Sequence, residues 1–170
     1  MTSTVVTKKY EFINETRLFA NRTLYRIKAL RNFSDVKAGQ LGGFIENENN
    51  LSHDGNCWVY DNALVLNPAH VSQDAKVFNN SVIAGFVYGK ACVFGKAIIF
   101  DHAHVYGNAR IYDHARVINH LHVCEYANLH GMVMILEKTS DDIETRAYVE
   151  QLSHNELRIF WLRNKALLNI

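Results

Sequence analysis

An apolar side chain returns every sixth residue through the middle of this chain. Val59, Val65, Val71, Val77 and Ile83 keep that spacing. Val87, Val93, Ile99, Val105, Ile111, Val117, Val123, Leu129 and Ile135 resume it after one slip. Two residues before most of them stands a small side chain: Ala63, Ala69, Ala75, Ser81, Gly85, Ala91, Ala97, Ala103, Ala109, Ala115 and Ala127. A fixed short period is the signature of a repeat architecture and outranks any local propensity.

Small-x-Val is a three-residue strand whose first and third side chains share one face, here the interior. The residues that follow are often Gly, Asn or Asp, which tolerate the positive φ of a tight corner. Strands this short hold only if the chain coils and each turn pairs with the next. A period of six matches neither 3.6 nor 7, so a helix is excluded. The step from Ile83 to Val87 is four residues, which makes 81–84 a truncated hexad and predicts a tightened corner, or a notch.

This spacing resembles the hexapeptide-repeat proteins, which wind three hexads per coil into a left-handed β-helix. The left hand is implied by that resemblance, since general crossover rules favour the right. The expected fold is therefore an all-β solenoid: a left-handed parallel β-helix over 57–135, an N-terminal β cap over 1–56, and a C-terminal α-helical segment over 136–170. Fourteen hexads make nearly five coils, on the order of 23 Å of stacked sheet. Within 1–56, Tyr25–Leu30 alternates as a half-buried strand. In the tail, Ser140-Asp-Asp and the capping box Ser153-His-Asn-Glu156 each start a helix. The second helix carries enough apolar residues to cover the open coil or a neighbouring subunit.

Thr23–Arg31, Asp35–Glu46 and Asn50–Gly55 resemble the opening of a narrower group, the bacterial and prophage-borne β-helix proteins commonly given a transferase label. With the repeat, the resemblance covers roughly residues 8–135. It implies a phage or prophage setting and, as in hexapeptide proteins generally, a homotrimer.

Composition narrows the classes. Apolar residues at 48% and charged residues at 21% describe a folded chain. No apolar run reaches membrane-spanning length and no signal-peptide core is present, so the expectation is the cytoplasm of a bacterial host cell, with no membrane partner. Cys57, Cys92 and Cys124 are odd in number and lack Cys-x-x-Cys spacing, so they read as free thiols. Residues 1–40 hold eight Lys/Arg against three Asp/Glu. That excess suits a solvated strand face or an anionic partner, and no nucleic-acid motif accompanies it.

Outward positions eighteen apart should form columns: Phe86, His104, His122; Cys92, Arg110, Asn128; Ile98, Arg116, Met134. Tyr88, Phe94, Phe100, Tyr106 and Tyr112 fall near corners, and aromatics in that number suit a subunit interface. His102 and His120 should stack, as should His104 and His122. These four histidines, with Arg110 and Arg116 supplying charge, form a candidate face for phosphate or carboxylate. Polar filling of surface positions is the plainer reading of the same residues. The zinc-binding hexapeptide proteins resembling γ-carbonic anhydrase carry His-x4-His. No two histidines here are five apart, so no metal site is expected.

Two functions follow. One is a non-catalytic trimeric binder of phage type, without a cofactor, holding a small anionic, nucleotide-like ligand or a host protein in a counter-defence role. The other, implied by the hexapeptide resemblance, is acyl transfer from acetyl-CoA, with a histidine as general base and the cofactor between adjacent subunits. His104, His122 and His53 are its candidates. The hexads run unbroken from Gly85 to Ile135, with no long loop to enclose an acceptor, which favours the binder.

Overall fold

The computed structural model describes residues 7–132, 134 and 135. Strand β1 (Tyr10–Phe19) pairs antiparallel with β2 (Arg22–Ala29), and β2 with β3 (Leu41–Ile45). Ala20 and Asn21, both at positive φ, make the two-residue turn between the first pair. β3 then pairs in parallel with Leu64–Val65, so the cap runs directly into the solenoid.

Beyond the cap, the strands are two-residue rungs that stack in parallel on three faces. Face I takes Leu64–Val65, Val82–Ile83, Ile98–Ile99, Arg116–Val117 and Met134–Ile135. Face II takes His70–Val71, Phe86–Val87, His104–Val105 and His122–Val123. Face III takes Trp58–Val59, Lys76–Val77, Cys92–Val93, Arg110–Ile111 and Asn128–Leu129. The described core is the predicted series: the inward residues from Val59 to Leu129, with the small residues from Ala63 to Ala115, are almost wholly shielded. The coil begins earlier than Cys57. Phe44 and Ile45 already form a rung, and Leu51 bridges to Val71. Ile45 and Leu51 are six apart, but an eight-residue step to Val59 hides them from the repeat.

Corners follow one rule. The second residue after the inward apolar side chain sits at positive φ: Asp61, Gln73, Asn79, Gly89, Gly95, Asp101, Gly107, Asp113, Asn119, Glu125 and Gly131. Where that residue is Asp, Asn or Gln, its side chain can accept from the matching backbone N–H one coil up. Asp61 Oδ2 receives Asn79 N–H at 3.0 Å, Asn79 Oδ1 receives Gly95 N–H at 3.1 Å, and Gln73 Oε1 receives Gly89 N–H at 2.8 Å. The two exceptions to the rule stack at the corner between faces I and II. One contains the cis Asn67–Pro68 bond, and the other is the shortened Ala84–Gly85 turn. Partners across that turn are sixteen residues apart (Lys76 and Cys92) instead of the usual eighteen (Cys92 and Arg110). The truncated hexad is a tight corner.

Several side chains of the basic N-terminal stretch cap the first coil, while Lys8, Arg17, Arg31 and Lys37 face solvent. An open coil end leaves carbonyls without a rung below. Lys9 Nζ donates to the carbonyls of Cys57 (3.0 Å) and Asp54 (3.3 Å), and the Tyr10 hydroxyl to those of Leu51 (2.9 Å) and Glu48 (3.0 Å). Arg22 donates to Asn67 O at 2.7 Å, and Arg26 to Gly42 O at 2.7 Å and Asp61 O at 3.0 Å. The helices expected from Ser140 and Ser153, and the cap expected over 136–170, lie outside the described residues. Among the described residues no helix is long and apolar enough to cross a membrane.

Candidate functional site

Face II carries the feature most unlike a plain solenoid wall. Its outward positions are His70, Phe86, His104 and His122 on successive rungs, because each precedes an inward valine and must point away from the core. Parallel pairing in register places like on like, and the rings stack. Phe86 and His104 centroids are 4.7 Å apart, as are those of His104 and His122, with interplanar angles of 20° and 7°. One residue before each small inward position, at the corner, His102 and His120 stack at 5.5 Å and 5°. On the other side Tyr88 and Tyr106 stack at 4.9 Å, each meeting a face II imidazole edge-on: Tyr88 meets His104, and Tyr106 meets His122.

Stacking along the axis uses the ring faces on each other. What remains for a ligand is ring edges, which in imidazole carry the two nitrogens. His104 is the innermost of the group. Its Nδ1 is shielded from water and has no hydrogen-bond partner within the chain. Burial, then the nearby His122, His102 and His120, hold its pKa below the usual imidazole value. Near pH 7 it is therefore a neutral base rather than a cation.

The other candidates are placed elsewhere. His53 lies in the cap, three rungs below His104 on the same side. It stacks on Tyr10 at 4.4 Å; Nδ1 accepts the Lys9 backbone N–H at 3.1 Å, and Nε2 contacts Glu48 Oε1 at 3.0 Å. Both its nitrogens are occupied. Arg110 projects from face III, where it lies over the Phe94 ring at 5.4 Å, and Arg116 projects from face I. The four imidazoles thus come together, and the two arginines do not join them. The columns Cys92, Arg110, Asn128 and Ile98, Arg116, Met134 are as the spacing predicts.

Sequence reasoning missed His70 as a member of the column. An eighteen-residue step from it lands on Tyr88, whereas the tight corner brings Phe86 above it. The four-residue step at Ile83–Val87 was the signal that could have corrected this. Corner aromatics also satisfy each other more than spacing suggests: Tyr60 stacks on Phe78, Phe94 on Tyr112, and Tyr112 on His130. Among the described residues no group of three or more His, Cys, Asp or Glu is placed to hold a metal ion.

No family profile matches the chain. It is 38% identical over 90 residues to the Uncharacterized acetyltransferase YdcK of Escherichia coli (strain K12). The match covers 48% of this chain and 28% of that protein, so the aligned part is less than a third of the relative. Repeat spacing and three-faced coil agree: the chain folds as a parallel β-helix of hexapeptide repeats.

Proposed function

We propose that this chain serves acyl transfer from a thioester donor such as acetyl-CoA to a hydroxyl or amine, with His104 as the general base. The observation that carries this reading is the state of His104, a half-buried imidazole whose Nδ1 is shielded and has no hydrogen-bond partner within the chain. A buried polar atom left unmatched costs about 1–3 kcal/mol, and such atoms mark sites where a partner is still to come. Local opening of the column that uncovers Nδ1 would let the acceptor's O–H or N–H be such a partner. His104 takes that proton as the acceptor attacks the thioester carbonyl, and the thiolate of the donor leaves. His122 and Phe86, stacked on either side, hold the ring's plane. The name of the relative supports the same chemistry. In this reading the working unit is a homotrimer whose donor lies between neighbouring coils, a state that light scattering reports directly.

The test is release of CoA on incubation with acetyl-CoA and a panel of small alcohols and amines. His104→Gln should lose turnover by a factor of about 10² or more while still binding donor. A ligand at about 100 times its dissociation constant adds roughly 2.7 kcal/mol, so acetyl-CoA should raise the melting temperature of both proteins. No CoA release and no thermal shift would refute the reading.

A second reading is favoured by one observation. From Phe86–Val87 to Asn128–Leu129 successive rungs are separated by four residues each, with no inserted loop to enclose an acceptor. A non-catalytic binder of phage type would use the imidazole edges to hold a small anionic, nucleotide-like ligand. Melting shifts with nucleotides but none with acetyl-CoA would select it.

A further inference from the structure

Lys9 and Cys57 are both fully buried, 48 residues apart in sequence, with Nζ and Sγ 3.2 Å apart. We infer that this pair is a site of reversible oxidative cross-linking, in which an N–O–S bridge staples the N-terminal hairpin to the first coil. The geometry argues for it in three steps. The amine is positioned by its bonds to the carbonyls of Cys57 and Asp54, so it cannot swing away from the sulfur. The sulfur is held among the carbonyls of Ser52, Asp54 and Val71, at 3.6, 3.7 and 3.6 Å. Of everything Lys9 Nζ touches, only the thiol can be oxidised.

An inserted oxygen spans a 3.2 Å gap with a small contraction. A direct sulfur–nitrogen bond would need a much larger one, and the packed core resists that. The nucleophilic form of the amine is the neutral one, and burial favours it.

With peroxide as oxidant the chemistry balances in two steps. The thiol and one peroxide give the sulfenic acid and water. The sulfenic acid, the amine and a second peroxide give S–O–NH and two waters. Sulfur and nitrogen each lose two electrons, and two peroxides gain four. Peroxide is small enough to reach the pair through local opening of the hairpin, without a standing channel.

The experiment treats the folded full chain with hydrogen peroxide, then denatures it, alkylates free thiols and maps the peptides. The expected product joins the Lys9 and Cys57 peptides with a gain of about 14 Da, the mass of one oxygen less two hydrogens. Thiol reductant should undo it. The linked protein should melt several degrees higher than the reduced one, and Cys57→Ser should abolish both the adduct and the shift. Recovery of Cys57 as an alkylated thiol, or as sulfinic acid without a link to Lys9, would overturn the inference. Because the adduct is mapped on the unsubstituted chain, no Lys9 variant need fold for the result to decide.

Discussion

His104 and His122 lie ring on ring on consecutive rungs, their centroids 4.7 Å apart and their planes 7° from parallel. Burial, and then the neighbouring imidazoles, disfavour the charged form of His104. Its folded pKa is depressed, so between that value and the unfolded one, about 6.5, the unfolded chain binds more protons. Stability therefore falls as pH drops through about 6.5 toward the folded pKa, and is fully present above. His104→Phe would continue the stack from Phe86 and remove the titrating group. Urea unfolding at pH 7.5 and pH 5 should show a smaller pH loss in this variant than in the parent. An equal loss in both would assign the pH dependence to other groups.

Arg26 tests the cap. Its guanidinium donates to Gly42 O and Asp61 O and lies over the Phe44 ring at 4.3 Å, joining β2 to the first coil. Arg26→Ala leaves two carbonyls without that donor and should cost about 2 kcal/mol. Arg26→Lys keeps the charge but not the planar fork, and should recover less than half of it. Denaturant midpoints of the three proteins measure this. A neutral Arg26→Ala would mean that water caps the coil end equally well.

The solenoid was legible in the chain because its period is imposed by geometry. Each inward apolar residue must recur once per face, and the small residue two positions before it recurs with it. The stacking of His102 on His120 and of His104 on His122 followed from the same arithmetic. The cap was not legible, because Lys9, Tyr10 and Arg26 find their acceptors by end-on contact with carbonyls 16 to 48 residues away, and carbonyls have no sequence. Nor was the separation of Arg110 and Arg116 from the imidazoles used. Their spacing assigns them to faces III and I, away from the face II imidazoles. The sulfur of Cys57 beside Lys9 had no local signal at all.

Asn79 separates the two roles of a corner residue. It holds positive φ (57°), and its side chain accepts the Gly95 N–H at 3.1 Å. Asn79→Gly keeps the backbone state and loses the side-chain hydrogen bonds, the one from Gly95 N–H and the longer one that Asn79 Nδ2 donates to Asp61 Oδ2 at 3.3 Å, a cost of about 1–2 kcal/mol. Asn79→Ala loses the same bonds and strains the left-handed backbone, adding roughly another 1 kcal/mol. The order parent, Gly, Ala in thermal stability is the expected outcome. Equal destabilisation by both would show that the corner relaxes and that only the bonds mattered.

Gly85 carries the tight corner. A Cβ there would stand 2.5 Å from the Ala103 carbonyl oxygen and 3.0 Å from Ile99 Cγ2. The first is backbone of the next coil, which cannot give way without parting the Phe86 and His104 rungs. At the other corners alanine fills this small inward position, as at Ala91 and Ala103, both fully buried. The corner shortened by two residues places the Gly85 Cα against that carbonyl, which leaves no space for the methyl here. Gly85→Ala should therefore destabilise by about 1–3 kcal/mol. Inserting two residues between Ala84 and Gly85 restores the regular hexad and should relieve most of that loss in the Gly85→Ala background. If the insertion instead destabilises both backgrounds alike, the short corner is required by its stacking on the cis-proline corner beneath, and not by the glycine alone.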